Sequence, residues 1–129
     1  MVDVVGAFIY NNKNEIMICQ RPINKKRALL WEFPGGKVEK GETKIEALIR
    51  ECKEELDVTL DVEEEIFKVH HKYPDIDITL TLFKSKIASG EVKMIEHNDI
   101  KWIKKTEFNS YQFCPADKDI IDAINRGEL

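Results

Sequence analysis

Residues 36–58 read Gly-Lys-Val-Glu-Lys-Gly-Glu-Thr-Lys-Ile-Glu-Ala-Leu-Ile-Arg-Glu-Cys-Lys-Glu-Glu-Leu-Asp-Val. The stretch opens as a glycine-rich loop and continues as a helix. Thr43 is suited to cap that helix, and Glu46 three residues on completes a capping box. Glu51, Glu54 and Glu55 stand at i, i+3 and i+4, so their side chains project from one face about a turn apart. Ile45, Ile49, Cys52 and Leu56 form a stripe that predicts a buried face opposite them. Like charges at this spacing repel by roughly 0.2–0.5 kcal/mol per pair, so a bound divalent cation is a physical reason to keep them together. Taken alone, an acidic triplet is also the ordinary composition of a solvated helix face.

Bulk properties narrow the field. A chain of 129 residues is long enough to bury a core and predicts one domain, residues 1–129. With 43% hydrophobic and 34% charged residues it reads as a folded chain rather than a disordered one or a fibre. A net charge of −4 argues against a nucleic-acid polymer as partner, because a phosphate-binding groove needs a basic face. A small polyanion fits if a metal supplies the positive charge. Cys19, Cys52 and Cys114 are odd in number and lack metal-ligand spacing, so they read as reduced thiols. The start lacks a signal-peptide pattern and no segment suits a bilayer, which predicts a cytoplasmic protein without membrane contact.

Along the chain, Val2–Tyr10 reads as a buried strand, residues 11–14 as a turn and Glu15–Gln20 as a second strand. Arg21–Leu30 is a loop with a basic run at Lys25-Lys26-Arg27. Trp31-Glu32-Phe33 is a short extended piece before a break at Pro34-Gly35-Gly36. Val58–Tyr73 and Ile78–Ile87 read as strands around a turn at residues 74–77, and Ile100–Ile103 as a short strand. Pro115 opens a closing helix with Ile120, Ile121 and Ile124 inward and Gly127 at its end. The sum is an α/β fold, a mixed sheet flanked by helices. Oligomeric state stays open between monomer and homodimer.

The pattern Gly36, Glu42, Arg50-Glu51-Cys52, Glu54-Glu55 and Val58 resembles the Nudix box, G-x5-E-x7-R-E-U-x-E-E-x-G-U with U apolar. On it the chain is identified as a member of the Nudix hydrolase family. Asp57 departs, standing where the family has the glycine that closes the helix; aspartate tolerates left-handed backbone angles better than most residues. The resemblance implies the Nudix α/β/α sandwich with a loop–helix–loop catalytic box, and Mg²⁺ (or Mn²⁺) as cofactor. It implies Glu51, Glu54, Glu55 and the Gly35 carbonyl as metal ligands, with Gly35 and Gly36 letting backbone approach metal and phosphate. Arg50 would orient a catalytic glutamate, its structural alternative being a helical pair with Glu46 or Glu54. Glu42 would brace the loop.

Beyond the box, Leu30–Lys37 is similar to the entry to the box in MutT-like nucleoside triphosphate pyrophosphohydrolases. There Arg21 and Lys37 would meet substrate phosphates. Glu96, spaced before Trp102, would be a further metal ligand or general base, with an exposed loop acid as its alternative. His97 reads as a surface histidine, and His70 and His71 carry no assigned chemistry. Pro115-Ala116-Asp117 matches the segment that holds the base edge. An ionised Asp117 only accepts hydrogen bonds, which favours the N7–H of 8-oxoguanine or the N4 amine of cytosine; a protonated one also donates, toward the 8-oxoguanine O6. The implied reaction converts a nucleoside triphosphate to the monophosphate and pyrophosphate, either as nucleotide-pool sanitation acting on 8-oxo-dGTP, linked to DNA repair, or on CTP, dCTP or 5-methyl-dCTP. A nucleotide sensor without turnover is the reading from another class, and ADP-ribose or dinucleoside polyphosphate hydrolysis a third.

Overall fold

The computed structural model describes residues 1–129. Strand β1 (Val2–Ile9) runs through the middle of a four-stranded mixed sheet. It pairs in parallel with β6 (Asp77–Ser89) and antiparallel with β4 (Gly35–Lys37), and β5 (Thr59–Lys72) closes the far edge beside β6. A second sheet is antiparallel: β2 (Glu15–Gln20) lies between β3 (Trp31–Glu32) and β7 (Asp99–Lys104). The strands are thus divided between two sheets. The Gly35-Gly36 segment, expected as a break, is a strand, because β1 supplies the backbone partners that local composition does not reveal.

Alternation along the strands sends side chains to two cores. Val5, Ala7, Ile9, Met17 and Cys19 pack with helix α1 (Lys44–Leu56). Phe8, Ile16 and Ile18 face the other way and pack with α2 (Lys118–Asn125). Both faces of β1 and β2 are covered, which explains their nearly continuous apolar sequence. Two 3₁₀ segments, Lys105–Ser110 and Pro115–Asp117, lead into α2. The closing helix therefore begins at Lys118, after its Pro115-led turn. No helix is long and apolar enough to cross a membrane.

Helix α1 starts as expected. Thr43 Oγ1 accepts from the Glu46 amide at 3.1 Å, and the Glu46 carboxylate accepts from the Thr43 amide at 2.8 Å. It ends at Asp57, in the left-handed region at φ 57°. The Asp57 carboxylate reaches Lys53 and Lys93, each at 3.1 Å. The buried face differs from the expected stripe. Ala47, Leu48, Cys52, Glu55 and Leu56 are buried, whereas Ile45 is exposed and Ile49 only half-buried. The helix is rotated so that Ala47, Leu48, Cys52 and Leu56 meet the β1 and β5 surface, which leaves Glu55 buried at the edge of the cleft. Replacing Thr43 by Ala should lower stability by about 1 kcal/mol, read from urea unfolding followed by circular dichroism; an unshifted midpoint would mean that the capping box contributes nothing.

Candidate active site

The box carboxylates line one side of a cleft of about 860 Å³. Its floor is made where β4 crosses beneath α1. A Cβ on Gly35 would lie 2.0 Å from the Val5 carbonyl oxygen, and one on Gly36 would lie 2.4 Å from the Glu51 carboxyl carbon. Gly35 is glycine because β1 passes too close for a side chain, and Gly36 because the Glu51 carboxylate rests against it. For both glycines the close neighbours in the fold are the protein's own atoms.

Arg50 ties this region together. Its guanidinium donates to both Glu42 oxygens at 2.6 and 3.0 Å, to Glu51 Oε1 at 2.9 Å, to Glu54 Oε2 at 3.3 Å and to the Lys37 carbonyl at 3.1 Å. The hydrogen bond from Arg50 holds Glu42 below the usual carboxylate range. Glu46 is occupied by the helix cap, so of the two alternative helical partners only Glu54 is used. Lys37 lines the cleft with its exposed side chain.

The three acidic residues of the helix stand in three environments. The Glu54 side chain is 58% exposed, Glu51 17% and Glu55 11%. The expectation of one open acidic face therefore fails for Glu55, which sits on the packed side. Burial, with the nearby Glu51 charge, pushes the Glu55 carboxyl up to about 9, so it is protonated at neutral pH. Its Oε1 is buried with no hydrogen-bond partner.

Opposite the helix, Glu96 lines the cleft at the surface, where Lys25 binds it at 2.7 Å and lowers its pKa. His97, expected at the surface, is buried. Its side chain packs between Glu32 and Glu55, and burial drives it down to about 4, leaving a neutral imidazole. Arg21 does reach the cleft, bound to Glu32 at 3.0 Å and to the Lys26 carbonyl at 2.8 Å. Further along lies Asp117, which is 5% exposed. It stands at the start of α2 without a side-chain capping bond. Burial, reinforced by the Glu32 charge, raises its pKa well above the carboxylate range. Tyr73 supports this end: its hydroxyl accepts from the Ala116 amide at 2.9 Å, and the Arg27 guanidinium stacks 4.1 Å over its ring.

The NUDIX domain family model matches residues 5–123. The chain belongs to the Nudix family. This Nudix domain is 33% identical over 124 residues to the CTP pyrophosphohydrolase of Escherichia coli K12, spanning 96% of the chain and 91% of that protein. It is 32% identical over 125 residues to the 8-oxo-dGTP diphosphatase of the same organism, covering 97% of each. Among solved structures, a MutT protein from methicillin-resistant Staphylococcus aureus superposes with a TM-score of 0.73 at 38% identity, covering 97% and 93% of the two chains. One from Methanosarcina mazei superposes at 0.87 and 24% identity, covering 98% and 94%, and shares the fold. Nudix hydrolases in general use a divalent metal.

In the Nudix domain as folded, no three acidic, histidine or cysteine side chains converge as a ready ion cage. Arg50 draws Glu51 and Glu54 to itself and Lys25 holds Glu96. The donor set nevertheless suits a hard cation: carboxylates and a backbone carbonyl, among them one orphaned carboxylate oxygen on Glu55. Sequence reasoning passed over Glu32, Tyr73 and the chemistry of His97. Glu32 had a signal in the alternation of Trp31-Glu32-Phe33: the aromatics enter the core, so the acid faces the cleft. His97 had none.

A carboxyl raised in the folded state is protonated there while its unfolded counterpart, near 4.5, has ionised. Metal-free stability should therefore fall as pH rises from about 4.5 toward 9. Glu55→Gln should flatten that decline in urea unfolding with chelator present. Identical slopes in the two proteins would contradict the burial argument.

Proposed function

We propose that the chain, as one Nudix unit over residues 1–129, hydrolyses a nucleoside triphosphate to the monophosphate and pyrophosphate, with 8-oxo-dGTP as the substrate. The observation that carries this reading is that the box carboxylates and the buried Asp117 line the same cleft, one set suited to phosphates and the other to a base. Relatives named 8-oxo-dGTP diphosphatase and CTP pyrophosphohydrolase support it.

Glu51, Glu54, Glu55, Glu96 and the Gly35 carbonyl would hold Mg²⁺, or Mn²⁺ in its stead. The ion's contribution when bound is to neutralise and orient the phosphates and to stabilise charge on the leaving group. The chain's own residues do the rest. Arg50 fixes Glu51 and Glu54 against the loop, limiting the orientations they sample. Arg21 and Lys37, with Lys25 beside them, neutralise phosphate oxygens. Water attacks the β-phosphorus and gives its proton to a carboxylate, for which Glu54 and Glu96 are suited by their access to solvent.

A neutral Asp117 carboxyl presents a donor and an acceptor side by side. That pair matches the N7–H and O6 of 8-oxoguanine. Unmodified guanine offers acceptors at both positions and leaves the Asp117 carbonyl oxygen facing a lone pair. The same pair also suits the N4 amine and N3 of cytosine, so a specific observation favours CTP or dCTP as the second reading. A cytoplasmic location and free nucleotide, rather than a polymer, as partner go with either.

Purified protein with Mg²⁺ should release pyrophosphate from 8-oxo-dGTP, with kcat/KM at least about tenfold above that for dGTP; CTP, dCTP and 5-methyl-dCTP complete the panel. Asp117→Asn, which keeps a donor and an acceptor, should retain most of that preference, while Asp117→Leu should lose about 1–3 kcal/mol of it. Glu54→Gln should cut kcat by about 10²-fold or more with the far-ultraviolet dichroism unchanged. Tight nucleotide binding without product would favour a sensor, and AMP from ADP-ribose alone would move the assignment.

A further inference from the structure

His97 sits in the loop between β6 and β7, yet its side chain is only 4% exposed. Loop histidines ordinarily keep a polar edge in water. Here Nε2 stands 3.8 Å from Glu55 Oε1 and 3.9 Å from Glu32 Oε2, nearly equidistant from carboxyls carried by α1 and β3. The loop is pinned where it must be for this. The Lys93 amide donates to the Leu56 carbonyl at 2.9 Å and the Ile95 amide to the Glu55 carbonyl at 3.4 Å. Asn98 donates to Gln20 through backbone at 2.9 Å and side chain at 2.7 Å. The segment carrying the imidazole is therefore bonded on one side to the backbone of Glu55 itself.

Two atoms in this contact are orphans: Glu55 Oε1 and His97 Nδ1 are both buried without a partner. A neutral imidazole has one N–H. With the hydrogen on Nε2 it faces both carboxyls, and the unpaired Nδ1 is an acceptor, which is less costly to leave alone than a buried donor. At 3.8 Å the contact to Glu55 is too long for a hydrogen bond, and a shift of about 0.6 Å would bring it within range. A hydrocarbon of the same volume would fill the space without burying an unpaired Nδ1, so packing alone does not account for the imidazole.

We propose that His97 is a positioning residue whose Nε2–H orients the Glu55 carboxylate to receive the divalent cation, with Glu32 as the second anchor of the ring. Glu32 is bound by Arg21 at 3.0 Å. A line of close side chains then runs from Arg21 through Glu32 and His97 to Glu55, hydrogen-bonded at its first step and spaced at 3.9 and 3.8 Å beyond it. This inference rests on the reading above that Glu55 belongs to a cation site.

The test is Mn²⁺ binding to nucleotide-free protein, read from the loss of the free-ion electron paramagnetic resonance signal. Wild type is compared with His97→Gln, whose amide nitrogen falls near Nε2, and His97→Leu, which fills the volume alone. His97→Leu should weaken Mn²⁺ about 10–100-fold and lower kcat more than it changes KM. His97→Gln should stay within about threefold of wild type. Should the leucine variant not fold, His97→Asn, with its nitrogen near Nδ1 rather than Nε2, should show the same weakening. Equal Mn²⁺ affinity in wild type and His97→Leu, or in the glutamine and leucine variants, would overturn the inference and leave the cation site intact. No Mn²⁺ uptake by wild type would overturn both.

Discussion

The site depends on one guanidinium. Arg50 alone contacts Glu42 in the loop before α1, Glu51 and Glu54 on the helix and the backbone of Lys37 in β4. Without it, several negative side chains within a few turns would repel one another, and the loop would have no ionic tie to the helix. With it, the acidic cluster is stable before any cation arrives. The same contacts limit what the cluster can do by itself, since carboxylates drawn to an arginine do not form a ready cage.

Around that knot the cleft is built against the usual rules of burial. Glu55 and Asp117 are acids pushed out of the carboxylate range, and His97 is an imidazole pushed below neutrality. Each costs folding free energy that an apolar residue would not. Such groups gather where chemistry requires them, and here they all face one cavity. Under the proposed function the two raised acids would have different uses: Asp117 in its neutral form would read a base edge, whereas Glu55 would give up its proton to meet a cation.

Much of this was legible in the chain. The spacing of Glu51, Glu54 and Glu55 marked residues that line one cleft, the Thr43–Glu46 pair located the start of their helix, and apolar runs located the long strands to within a few residues. What escaped was set by tertiary contact. Hydropathy chose Ile45 and Ile49 as the buried stripe, because nothing local says that the packed face runs through Ala47 and Leu48 and that Glu55 is buried beside it. Gly35-Gly36 read as a break, because its strand exists only through pairing with β1. His97 looked like any loop histidine until the loop was seen bonded to the end of α1.

A buried, protonated glutamic acid that becomes a cation ligand must release its proton on binding. Calorimetric titration of Mg²⁺ into the protein at pH 7, repeated in buffers of different ionisation enthalpy, measures that release directly. Saturable uptake with measurable proton release, abolished in Glu55→Gln, is the expected result. Uptake without proton release, or no uptake at all, would contradict the account.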